Sequence, residues 1–402
     1  MVVERTLKNI HIQDFYEFFK KHEVPRRSIR IQAGSTPVKY TKILEIIEQE
    51  LVPNDGSFTN EDLDDFLFEQ LYYNNNDHHY LYNLNDLFLT DELMDKDGII
   101  NHFSSNPSLK YNQSLSDWED NTDTINLCTS RLEFNENNEL EKIHLLLRIG
   151  VIAGENGRTN VFCGVVICVS ANTVILKFRQ GHIQEMNESQ IIINKSIISS
   201  LSGEGKDGVQ FRDLGLYITT LNENSVEAMI YKLFAELSKE AENKLNSELD
   251  DSVESKIEDF LEKGLNIVKS EENFEDYIEQ IKAVVFQDIS SRMTHTLFKK
   301  GWVFKFVFRE GDHSRASSNA EKRSPVYSYK SFWQLKELIH SLGELQEAGF
   351  HWNLNEVESD SKFVDVRFES RSGTMLMHYY YKTRSGRKEK EEYVIQKITG
   401  NL

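Results

Sequence analysis

The sequence predicts an α+β chain with a helical N-terminal region, a central antiparallel β unit carrying a three-helix segment, and a C-terminal mixed α/β domain with antiparallel strands. Three observations carry that prediction. Apolar residues recur at spacings of three and four in the first hundred positions, change to β-branched runs from about Glu139, and return to helical spacing after Asn224. Helices and strands come in groups rather than in regular alternation, which argues against a doubly wound parallel sheet. The length of 402 residues exceeds what one hydrophobic core fills and points to two or three domains.

Residues 1–103 read as a mainly helical domain. Phe15, Phe18 and Phe19 share one helical face that Pro25 ends, and Ile43, Ile46, Ile47 and Leu51 share another. Thr59 opens a capping-box-like start to a helix bearing Leu63, Phe66, Leu67 and Leu71. The stretch from Tyr72 to Tyr82 reads as a polar loop. Residues 104–138 open with a Ser-, Asn- and Asp-rich stretch and read as a linker or long loop.

Residues 139–222 read as an antiparallel β domain. HLLLRIGVIAG, NVFCGVVICVS, TVILKFRQ and QIIINKSII are β-branched runs punctuated by Gly and Asn, and Val209–Thr220 reads as a further strand. That spacing fits either a small SH3-like or Sm-like barrel or a meander in a larger sheet.

Residues 223–291 read as an acidic helical segment with three apolar faces. The first is Val226, Met229, Ile230, Leu233, Phe234, Leu237, Ala241 and Leu245. The second is Ile257, Phe260, Leu261, Leu265 and Val268; the third is Phe274, Tyr277, Ile278, Ile281 and Val285. Residues 292–402 read as a basic α+β domain: a strand at 301–308, a polar loop from Arg309 to Pro325, and a helix from Ser328 to Glu347. Strands Phe363–Glu369, Thr374–Tyr381 and Tyr393–Ile398 complete it.

The net charge is −19, yet residues 292–402 hold 19 Lys and Arg against 14 Asp and Glu, a balance of +5. The two parts are therefore expected to meet different partners, the acidic helices a protein subunit and the basic domain an anion. No run approaches the roughly 18 apolar residues of a membrane span, and the charged N-terminus does not resemble a signal peptide. Cys128, Cys163 and Cys168 are few, odd in number and outside any CxxC spacing. A cytoplasmic, reduced, non-membrane protein is expected, and the Asn-, Ile- and Lys-rich wording resembles a low-GC bacterial genome or mobile element.

Most motif matches fail on their chemistry. GEGKDG at 203–208 matches GxGxxG, but VQFRDLGLYITT follows it, which alternates like a strand and offers no helix N-terminus to a pyrophosphate. DKDGII at 95–100 imitates an EF-hand centre without the acids its frame demands at Leu93 and Ser104. His78 and His79 stand adjacent beside Asp77 with no second ligand cluster at zinc spacing. No cofactor is expected.

Two constellations remain. Glu356, Glu358, Asp360, Asp365 and Glu369, with Lys382 one strand later, suit the carboxylate-and-lysine logic of a metal-dependent nuclease, although Arg371 stands where such a strand usually carries Lys. Three basic clusters suit phosphate backbones. Lys382, Arg384, Arg387, Lys388 and Lys390 surround a Ser385–Gly386 turn read as a β-hairpin tip. Lys299, Lys300, Arg309, Arg315, Lys322 and Arg323 form the second, with Tyr327, Tyr329 and Trp333 nearby to stack on bases. Lys20, Lys21, Arg26, Arg27 and Arg30 form the third.

The leading expectation is a non-catalytic, nucleic-acid-associated component of a bacterial multi-protein system, compatible with phage defence or mobile-element maintenance. In it, the basic domain meets DNA or RNA. A metal-dependent nuclease or hydrolase using the C-terminal carboxylates, and a protein-only adaptor, are the alternatives.

Overall fold

The computed structural model describes residues 3–25, 36–51, 56–74, 76–89, 95–116, 118, 125–154, 157–247, 249–250, 252–270, 273–290, 298–310, 314–355, 362–383 and 386–401. The chain divides into two compact units, 1–220 and 221–402. No helix among the described residues is long and apolar enough to cross a membrane.

In the first unit, helices α1 (Ile12–Lys21), α2 (Thr36–Glu50) and α3 (Asn60–Tyr72) follow the expected apolar periods. Phe15, Phe18 and Phe19 are buried and form an aromatic cluster with Phe58 and Phe66. The capping box opening α3 is formed: the Thr59 hydroxyl accepts from the Asp62 amide, and the Asp62 carboxylate accepts from the Thr59 amide. Strand β1 (His78–Asp86) occupies the stretch read as a loop. There the pleat places Tyr80, Tyr82 and Leu84 on one face and His79 and Leu81 on the other, all buried. Asp95, read as an EF-hand imitation, N-caps helix α4 (Lys96–Ser105) by accepting from the Gly98 amide.

The sheet of this unit runs β2 (Asn126–Phe134), β3 (Leu140–Gly154), β4 (Gly157–Cys168), β5 (Thr173–Phe178), β1, all antiparallel, with β6 (Tyr217–Thr219) on β1. It is not closed, which corrects the barrel expectation. Every residue of β5 and all of β4 beyond Arg158 are buried, so both sheet faces are covered, as in a layered domain rather than a small barrel wetted outside. QIIINKSII, the strand expected next, is helix α5 (Gln190–Leu201); Ile193, Ile197 and Leu201 recur every fourth position on its buried side. GEGKDG holds one helical turn at Gly205–Gly208 followed by a 3-10 segment, Val209–Leu214, instead of a loop before a strand.

In the second unit the sheet runs β11 (Thr374–Tyr379), β10 (Phe363–Arg371), β9 (Glu347–Asn353), β7 (Gly301–Glu310), β8 (Ser314–Asn319), again antiparallel throughout. Helix α6 (Glu223–Ser247) packs on β7, β9 and β10, and all eight of its expected apolar residues are buried. Helices α7 (Ser252–Gly264), α8 (Phe274–Ile289) and α9 (Lys330–Leu342) follow the expected order. Only Ile257 and Leu261 of the second predicted face are buried; Phe260, Leu265 and Val268 are exposed.

The largest local correction lies at the C-terminus. Residues read as the second strand of a hairpin form helix α10 (Arg387–Thr399), entered through Gly386 in the left-handed conformation. Val394, Ile395 and Ile398 imitate a β run, but Arg387, Lys390 and Glu391 join them at spacings of three and four on the buried face. The Lys- and Glu-rich run RKEKEE also favours a helix over a strand.

Candidate functional site

Alternation along the strands of the second unit sorts their side chains cleanly. Val364, Val366 and Phe368 of β10 and Phe350 and Trp352 of β9 are buried on one face; the α6 residue Phe234 meets Phe306 of β7, within a ring cluster shared with Phe332 of α9. The opposite face carries Phe363, Asp365, Arg367 and Glu369 of β10 and Glu347, Gly349 and His351 of β9. Register then makes one cross-strand row: Trp302 lies opposite His351, His351 opposite Asp365, and the Asp365 carbonyl accepts from the Tyr380 amide.

Two glycines allow this row to close. Gly301 has φ +137°, and a Cβ there would stand 2.0 Å from the His351 carbonyl oxygen. A Cβ on Gly349 would collide with the Phe304 ring.

At the centre, Asp365 is 2% exposed and accepts from His351 Nδ1 at 2.6 Å. Its other oxygen, Oδ2, accepts from Arg323 at 3.0 Å and lies 3.8 Å from Lys382 Nζ. Burial pushes the carboxyl up, but His351, then Arg323 and Lys382, outweigh it and hold Asp365 below the usual aspartate value. An ionised carboxylate only accepts, so in the neutral imidazole the proton sits on Nδ1 and Nε2 presents a lone pair. Among the described residues, nothing hydrogen-bonds that Nε2.

The ring is held between two aromatic planes: Trp302 at 3.7 Å and 9°, and Phe363 at 4.7 Å and 23°. Trp302 in turn donates from Nε1 to the Arg323 carbonyl. Arg323 stacks on Tyr380 at 4.2 Å. It and Lys322 both have φ above +50°, a conformation that non-glycine residues hold only when their surroundings over-determine it. Lys382 and Lys390 stand 4.8 and 5.7 Å from the Phe363 ring centre, and Lys390 donates to the Thr383 hydroxyl. Burial, then the neighbouring Arg387 charge, lowers the Lys390 pKa below the usual lysine value.

This geometry redistributes the sequence-predicted residues. Arg323 from one basic cluster and Lys382 from another meet at Asp365, a carboxylate that the sequence joins to Lys382 as a metal site but does not relate to Arg323. Lys299 and Lys300 are exposed just before β7, and Lys322 and Lys388 are also exposed. Arg309 and Arg315 lie directly opposite each other on the β7–β8 hairpin. Arg387 is buried against the Tyr381 ring and Lys390 is buried too, so the group does not project as a hairpin tip. Tyr327 and Trp333 are buried, Trp333 donating to the Tyr327 carbonyl, so neither can stack on a base; Tyr329 is exposed. Arg384, Glu356, Glu358, Asp360, Arg26, Arg27 and Arg30 lie outside the described residues.

The carboxylate convergence expected of a metal-dependent nuclease is not formed by Asp365 and Glu369. Four residues on one strand separate them by about 13 Å. Glu369 is engaged by Arg367 and by Arg371 at 2.9 Å, and Glu347 by Lys305 and Arg367. The adjacent His78 and His79 sit at successive positions of β1 and point to opposite faces, which prevents them from chelating one ion together. His351 was not legible as a site residue, although AGFHWN alternates with period two and places the histidine opposite Phe350 and Trp352. No protein-family model, curated protein or solved structure matches this chain.

Proposed function

We propose that the second unit carries a hydrolytic site for phosphate esters, with His351 as the proton acceptor, Asp365 as the group that sets its tautomer, and Arg323 and Lys382 as the anion clamp. The observation that carries this reading is the His351–Asp365 pair: the second imidazole nitrogen is left open, and two cations gather on the carboxylate that holds the first. Asp365, Arg323, Lys382 and Lys390 together bear a net positive charge, which suits a phosphodiester better than a neutral ester.

The test is hydrolysis of bis(p-nitrophenyl) phosphate by the full chain at neutral pH with EDTA. Wild type is expected to turn over, and His351→Gln to lose about a hundredfold or more in rate while keeping its melting temperature. Equal rates in both proteins, or no turnover of any phosphodiester by either, would remove the reading.

A second reading, nucleic-acid binding without chemistry, is favoured by the Arg309–Arg315 pair. Like charges directly opposite on a hairpin repel unless an anion joins them. Steeply salt-dependent retardation of random DNA or RNA, undiminished in His351→Gln and without hydrolysis of the chromogenic diester, would favour this second reading.

A further inference from the structure

Resting on the hydrolytic reading above, we infer that the diester taken by this site is RNA, cleaved through its own 2′-hydroxyl. Water attack on an unactivated phosphodiester commonly relies on paired metal ions clamped between the attacking and leaving oxygens. The carboxylates on this face, the ligands such ions favour, are committed elsewhere. Both Asp365 oxygens are occupied by His351, Arg323 and Lys382, and Glu347 and Glu369 are ion-paired with Lys305, Arg367 and Arg371.

A base, an acid and an anion clamp suffice when the nucleophile is built into the substrate. Intramolecular attack replaces an encounter with water and corresponds to effective molarities of about 10⁵ M or more. The 2′-hydroxyl is the group that provides it, and DNA lacks it.

The residues present supply each part. His351 Nε2 takes the 2′-hydroxyl proton as the 2′-oxygen bonds to phosphorus. The bond from phosphorus to the 5′-oxygen breaks, and that oxygen leaves with a proton from the Lys390 ammonium. The products are a 2′,3′-cyclic phosphate and a free 5′-hydroxyl. His351 then returns its proton to solvent and Lys390 regains one, so the cycle closes without oxidant or reductant. Lys390 stands near the same Phe363 ring that stacks on His351, and its lowered pKa makes it a readier acid than an ordinary lysine. Arg323 and Lys382 remain charged throughout and hold the non-bridging oxygens.

The experiment uses the full chain, EDTA and three end-labelled single strands of one sequence: RNA, DNA and 2′-O-methyl RNA. The RNA alone is expected to be cut, leaving cyclic phosphate ends, with rates down about a hundredfold or more in His351→Gln and in Lys390→Met. Cleavage of the DNA or of the 2′-O-methyl strand would overturn the inference, as would RNA cleavage undiminished in His351→Gln. Turnover of bis(p-nitrophenyl) phosphate with intact RNA would overturn it while leaving the hydrolytic reading in place. Inertness toward both substrates would remove both. Circular dichroism of each variant separates loss of chemistry from loss of fold.

Discussion

Each unit holds a histidine paired with a carboxylate across neighbouring strands, and the two pairs are opposite in consequence. In the first, His144 on β3 meets Glu133 on β2 through Nε2 at 2.9 Å, and its Nδ1 lies 3.0 Å from the Tyr72 hydroxyl, which donates to the Val165 carbonyl. Both imidazole nitrogens are engaged, and burial, with Lys177 and Lys142 nearby, lowers the His144 pKa. In the second, His351 engages Asp365 through Nδ1 and keeps Nε2 open. The same two residue types therefore close a network in one unit and, among the described residues, leave one imidazole nitrogen without a hydrogen bond in the other. What differs is the third partner, a buried tyrosine on the histidine in one case and two cations on the carboxylate in the other.

The largest effect that would break this comparison is the exchange of consequences. His351→Gln is expected to cost about 10²–10⁴ in hydrolytic rate with little change in melting, whereas His144→Ala is expected to leave the rate intact and cost about 2–3 kcal/mol of stability. Thermal melts and rates on both proteins check this; matching profiles would erase the distinction.

Acid should separate the units next. Glu133 is held at about 2, first by its hydrogen bond from His144 and then, against burial, by Lys142. Its contribution is fully present above the ordinary glutamate range and is lost as pH falls toward 2. His182 is depressed to about 4 by burial and by Arg179. The unfolded chain therefore binds a proton that the folded one refuses, and stability declines as pH drops from about 6.5 toward 4, by on the order of 3 kcal/mol in all. Urea melts across pH 7 to 3 are expected to show this upper window, and His182→Asn to narrow it, the buried and likewise depressed His79 and His144 supplying the remainder.

A smaller effect sharpens the role of the cations. Arg323→Ala and Lys382→Ala are each expected to flatten the log–log salt dependence of oligonucleotide binding by about 0.7–0.9, one phosphate contact apiece. The smallest contrast lies within α10. Lys388, exposed and 3.7 Å from Glu392, is expected to tolerate alanine within about 0.5 kcal/mol and without loss of rate, while its neighbour Lys390 is not. A basic hairpin tip would have made the two equivalent.

By itself the sequence determined the elements whose signals are local. The period of α6, the Thr59–Asp62 box of α3 and the acidic charge of residues 223–291 all depend on residues within one or two turns of each other. It also marked Asp365 with Lys382 as parts of a metal site and Arg323 as a phosphate contact, without relating Arg323 to the other two. Tertiary structure alone decided that they meet, because Arg323 and Asp365 are 42 positions apart and their contact depends on strand register, where a slip of one residue would turn His351 and Asp365 to the opposite face. It also decided that YVIQKI is a helix. Local β-branching favours a strand there, but burial of Arg387, Lys390, Glu391, Val394 and Ile398 along one side of α10 requires the helical period.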